Sequence, residues 1–150
     1  MLLDNISQQQ FEGSRPISRV ITHGHARRFA SFKALDDAES LFLSWCSDSI
    51  EPVVLSDVAS EVWIGVDQRI ACLAGGGSVV FSMALPSSLL WIARFPHVVA
   101  VVCDTQIILV NEADYSVRSI SGVSDIPEVI EQIGGRLVVT LLDGGRVTID

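Results

Sequence analysis

From about Glu51 onward, apolar residues fall in runs of four to seven, rich in Val, Ile and Leu and separated by Gly, Pro, Asp and Ser. Runs of that length between turn residues read as short strands. The pattern predicts strands at Val53–Leu55, Glu61–Val66, Arg69–Ala74, Ser78–Leu85, Leu89–Phe95, Val98–Cys103, Gln106–Asn111, Ser116–Ile120, Leu137–Leu142 and Arg146–Ile149. Glu128–Ile133 suits either a strand or a helical turn, because Pro127 fits a helix start. Before Glu51 the pattern is more mixed. Residues 1–15 are polar and lack a sustained period, which predicts a flexible N-terminal segment ahead of a single β-rich domain over residues 16–150. Pro16 then opens a β-like stretch, Ile17–His23, and Phe29–Phe32 reads as a second strand. Leu35, Ala38, Leu41, Phe42 and Trp45 recur at helical spacing and predict the one N-terminal helix. Asp36, Asp37 and Glu39 would lie on its solvent face, in the first turn, where acids complement the helix dipole.

Three segments superpose on one another. Each runs apolar strand, Asp, two or three turn residues, apolar strand: Val62 to Ala74 around Asp67, Val99 to Asn111 around Asp104, Val138 to Asp150 around Asp143. The aspartates are 37 and 39 residues apart. Asp favours such tips because its carboxylate accepts nearby backbone N–H bonds. Short antiparallel strands recurring at a period of about 40 residues are the mark of a propeller blade. Over residues 53–150 the chain therefore resembles degenerate β-propeller blades of the quinoprotein or WD type. The resemblance implies a mainly β fold, a curved antiparallel meander of about three blade-like hairpin repeats. It rests on meander and period. Within residues 53–150 the Trp-Asp dipeptide, the Gly-His signature and the tryptophan-docking pattern are absent, so it implies no quinone or metal site.

Composition narrows the function classes. The chain has 150 residues, of which 49% are hydrophobic and 19% charged. That is enough apolar material for a sizeable core. Its formal net charge is −8, which speaks against a nucleic-acid surface, since such surfaces cluster Lys and Arg. No apolar run approaches the roughly 18 residues of a membrane span, and Asp4 and three glutamines close behind Met1 do not read as a leader. Cys46, Cys72 and Cys103 are odd in number, widely spaced and set among apolar residues, as expected of free thiols in the cytoplasm. Charge is uneven: residues 1–33 carry five basic and two acidic side chains, residues 34–150 five basic and sixteen acidic.

Candidate chemistry is sparse. His23-Gly24-His25 would put two imidazoles on one strand face, but a zinc site needs three or four ligands, and a polar edge strand is the preferred reading. Gly75-Gly76-Gly77-Ser78 lacks the Lys of a phosphate loop and opens a strand, so it reads as a hairpin loop. There is no Gly-x-Ser-x-Gly elbow. No catalytic, metal or cofactor residue is assigned. The expectation is a non-enzymatic, cytoplasmic protein-binding module without nucleic-acid or membrane partners. One specific form is a bacterial immunity protein steered to a basic toxin. Asp36, Asp37, Glu39 and Arg94 are its expected partner-binding residues. The alternative is a homo-oligomeric structural or ligand-sensing subunit, a homodimer pairing Arg27 and Arg28 of one copy with the acidic body of another.

Overall fold

The computed structural model describes residues 1–36, 38–56 and 61–150. In chain order these form β1 (Leu3–Asn5), α1 (Gln8–Gly13), a 3₁₀ turn (Pro16–Ser18), β2 (Arg19–Ile21), β3 (Arg28–Phe32), β4 (Leu41–Trp45), β5 (Val53–Ser56), β6 (Val62–Val66), β7 (Arg69–Ala74) and β8 (Ser78–Ala84). They continue with β9 (Leu89–Phe95), β10 (Val98–Cys103), β11 (Gln106–Asn111), β12 (Val117–Gly122), β13 (Pro127–Ile133), β14 (Arg136–Leu141) and β15 (Arg146–Ile149). The strands make four sheets: A in the order β1-β3-β4-β2, B as β5-β6-β7-β8, C as β9-β10-β11-β12 and D as β13-β14-β15. All pairings are antiparallel except β2 with β4. The chain divides into two compact units, Met1–Ala84 with sheets A and B and Leu85–Asp150 with sheets C and D.

In the first unit, sheets A and B share a core. Ala30, Phe32, Leu41, Leu43 and Trp45 of sheet A join Val62, Ile64, Val66, Ala71 and Leu73 of sheet B. Leu41, Leu43 and Trp45 alternate, and this period of two decides the element. The helix expected over Leu35–Trp45 is therefore corrected to a turn followed by β4. The helical spacing there came from residues that a strand presents alternately: Leu41 and Trp45 face the core, whereas Phe42 is only half-buried. The helix lies earlier, in the segment expected to be loose. Ser7 and Gln10 form a reciprocal capping box that nucleates α1. Phe11 of α1 is buried and packs on Phe29 of β3 with ring centroids 5.3 Å apart. Arg19 holds the far end of α1, donating to the backbone oxygens of Glu12 and Ser14 at 2.7 Å while stacking over the Phe11 ring.

In the second unit, Val98, Ala100, Val102, Ile107 and Leu109 of sheet C pack with Leu137, Val139, Leu141 and Ile149 of sheet D. The repeat read from the sequence is present as geometry. Asp67, Asp104 and Asp143 each sit between paired antiparallel strands, β6–β7, β10–β11 and β14–β15. The outer strands β8 and β12 even share an irregularity. Val80 is the extra residue where Cys72 pairs with Phe81 and Leu73 with Val79. Arg118 is the extra residue where Leu109 pairs with Ser119 and Val110 with Val117. The fold is mainly β, with sheets B and C as four-stranded meanders and D as a three-stranded one. Among the described residues no helix is long and apolar enough to cross a membrane.

Candidate functional site

The most distinctive exposed element is β13, an edge strand of sheet D. A two-residue turn, Gly134-Gly135, joins it to β14, with φ +58° and +79°. Positive φ at both central residues is the hairpin geometry that matches strand twist, and glycine adopts it without steric cost. Register then sorts the faces. Ile130 pairs with Val139 on the core side. Val129, Glu131 and Ile133 pair with Thr140, Val138 and Arg136 on the opposite side. Glu128, Val129, Glu131, Gln132 and Ile133 are all exposed. Glu128 is an extra residue between the Pro127 and Val129 pairings, which leaves Val129–Ile133 as regular edge backbone. An edge strand presents unpaired N–H and C=O groups that another strand can bond.

Other long edges differ in chemistry. β8 is exposed but uncharged, and the single charge on β12 is Arg118. β13 carries two glutamates and no base. Nothing in the sequence singled it out, because the Pro127 ambiguity hid its strand character and its acids are not clustered. The signal that was there is the Glu-Val-Ile-Glu-Gln-Ile run between Pro127 and a Gly-Gly turn.

The residues expected to bind a partner lie elsewhere and do not converge on β13. Asp36 is exposed in a turn rather than on a helix, and Asp37 lies outside the described residues. Glu39 is exposed and ion-paired to Arg15. Arg94, on β9, is ion-paired to Glu112 at 3.0 Å and is largely covered. Arg27 pairs with Asp48 at 3.2 Å. Arg28 pairs with Glu51 at 2.5 Å and stacks over the Trp45 ring 4.7 Å from its centroid. Both arginines expected to reach a second copy are thus engaged with acids of their own chain.

His23 and His25 are not on a strand, a correction to the polar-edge reading: β2 ends at Ile21, and Gly24-His25 forms a turn in which His25 has φ +57°. His23 Nδ1 donates to the Ser44 backbone oxygen at 2.6 Å, and Nε2 is buried with no hydrogen-bond partner among the described residues. The two rings line a cavity of about 310 Å³ with Phe11 and Glu12. No group of three His, Cys, Asp or Glu among the described residues is placed to hold a metal ion.

The three hairpin aspartates have diverged in role. Asp67 Oδ2 accepts from the backbone N–H groups of Cys46 at 2.7 Å and Ser47 at 3.1 Å, tying sheet B to the end of β4. Asp143 Oδ1 accepts from Gly145 N–H within its own turn at 2.8 Å. Asp104 Oδ1 is buried with no hydrogen-bond partner among the described residues. Beside it, burial pushes the Cys103 thiol up to about 11, with the Asp104 charge adding to the effect and a hydrogen bond with Ser87 opposing it. That thiol is protonated and unreactive at neutral pH. Cys72 is also buried, whereas Cys46 is exposed. No family model matches the chain. Nor does a search of curated proteins find a match.

Proposed function

We propose that the chain is a non-enzymatic protein-binding module that adds a strand of a basic partner to the β13 edge. The observation that carries this reading is the exposed, aliphatic, acidic edge from Val129 to Ile133. Backbone bonding supplies affinity in strand addition, and alternate side chains supply selectivity. Val129 and Ile133 offer apolar contacts, while Glu128 and Glu131 favour Lys or Arg on the incoming strand. The same glutamates oppose pairing of two β13 edges, which would bring four like charges together. A partner from outside the chain is therefore favoured over a second copy. The net charge of −8 adds long-range attraction for a basic protein. A toxin-neutralising inhibitor is one form such a module takes, because many nucleic-acid-attacking toxins are basic.

The test compares baits in native lysate. Wild-type protein and the Glu39→Gln variant are expected to retain the same partner, and the Glu128→Lys/Glu131→Lys variant to lose it, with all three melting alike. Sedimentation of the wild type is expected to show a monomer. Equal retention by the lysine variant overturns the reading, as does a stable dimer that this variant dissociates.

A further inference from the structure

The second unit holds a cavity of about 410 Å³ at one end of the layer between sheets C and D. Its floor is the core itself: Val98, Leu109, Leu137 and Ile149, all buried. Its rim carries Arg118 and Arg136, and Asp150 is the one acid lining it. Neither arginine forms an ion pair with a described residue. In a chain with almost twice as many acids as bases, an apolar-floored cavity with a cationic rim is an exception to the prevailing charge.

Arg118 is held in place by a relay. As the extra residue of the β11–β12 bulge, it is turned out of the regular pleat. Its Nε donates to Asn111 Oδ1 at 2.8 Å. Asn111 Nδ2 donates to Ser116 Oγ at 2.9 Å, and Ser116 Oγ donates to Asp114 Oδ1 at 2.6 Å. The Ser116 side-chain and backbone hydrogen bonds hold the Asp114 carboxyl below its usual range, so the chain of bonds ends on a carboxylate. With Nε committed, the two outer guanidinium nitrogens remain for a ligand, and a planar fork of that kind matches a carboxylate. The bulge is common to sheets B and C, but sheet B has Val80 at the equivalent position. The arginine and its relay belong to sheet C alone.

We infer that this cavity binds a small amphipathic monocarboxylate, its apolar body on the Val98–Leu109–Leu137–Ile149 floor and its carboxylate on Arg118. The size falls within the roughly 300–1,000 Å³ of small-molecule sites. The guanidinium fork of Arg118 above an apolar floor favours a carboxylate on an apolar body over inorganic phosphate. The inference is independent of the β13 reading, since it involves neither a partner protein nor the glutamates of that edge.

Calorimetric titration of the full chain with octanoate, indole-3-acetate, octanamide and inorganic phosphate tests it. Octanoate or indole-3-acetate is expected to saturate one site, with octanamide about tenfold weaker and phosphate silent. Arg118→Gln, an exposed change expected to leave the melting temperature intact, should weaken the acid about tenfold. Asn111→Ala, which frees the guanidinium, should weaken it by about threefold, and Asp150→Asn should tighten it by a similar factor. Failure of either acid to saturate overturns the inference. So does equal binding of octanamide, or an unchanged affinity in a folded Arg118→Gln protein.

Discussion

Sheets A and D each pack one face into a core, yet they treat their remaining surfaces differently. Sheet A ends in edge strands of three residues each, β1 and β2, too short to template much pairing. Its far side is covered by α1, with Phe11 buried on Phe29 and clamped by Arg19. Sheet D ends in the seven-residue β13, whose outward side chains Val129 and Ile133 are 43% and 48% exposed. One sheet spends a helix, a capping box and an arginine clamp on closure. The other leaves a long edge in solvent and guards it with glutamates. The difference separates surface that folding requires from surface that folding leaves in solvent.

The largest expected effect breaks the covered side. Phe11→Ala removes a buried ring and should cost about 3 kcal/mol in a denaturant melt. Ile133→Thr on the open side should stay within about 0.5 kcal/mol. Comparable losses at the two sites would erase the distinction. The hairpin tips sharpen it further. Asp67→Ala strips two backbone N–H groups of their carboxylate acceptor and should cost about 2 kcal/mol. Asp143→Ala, which loses one bond in an exposed turn, should cost about 0.5 kcal/mol. Equal effects would mean that the first and third repeats use their aspartates alike.

A smaller effect separates the thiols. Exposed Cys46 should react with a thiol reagent at neutral pH, while Cys103 should not until the protein unfolds. The folded chain holds the Cys103 proton to about pH 11, against 9.0 for the ordinary thiol. Between those values the folded state binds more protons than the unfolded one. The contribution of this thiol is therefore fully present below pH 9 and is lost as pH rises toward 11. Cys103→Ala should flatten that part of a stability–pH profile, and an unchanged slope would remove the thiol as its cause.

Most strands were legible in the sequence because short apolar runs and Gly, Asp or Pro breaks coincide from Val53 on, the central strands such as Val62–Val66 and Val98–Cys103 being buried along their whole length. Arg69–Ala74, Leu89–Phe95, Val98–Cys103, Gln106–Asn111 and Arg146–Ile149 match to the residue. Leu35–Trp45 failed because five apolar positions fit the helical period while Leu41, Leu43 and Trp45 also fit a strand, and only packing against sheet B favours the strand. Helix α1 was missed although Ser7 and Gln10 stand three apart, as a capping box requires. One buried Phe in six residues gives no periodicity to detect, and its partner Phe29 is distant in sequence. The candidate sites were less legible still. The β13 edge depends on which strand ends the sheet, and the Arg118 relay depends on a bulge that no composition reveals.

Hydrogen exchange on the chain alone and on its complex with the captured basic partner tests the open-edge claim most directly. In the free protein, peptides covering Pro127–Ile133 should exchange faster than those covering Arg28–Phe32. On binding, protection should rise at Pro127–Ile133 while α1 and β3 remain unchanged. Protection gained at α1 or β3 with none at β13 would contradict the claim and place recognition on the side of the molecule that the fold has closed.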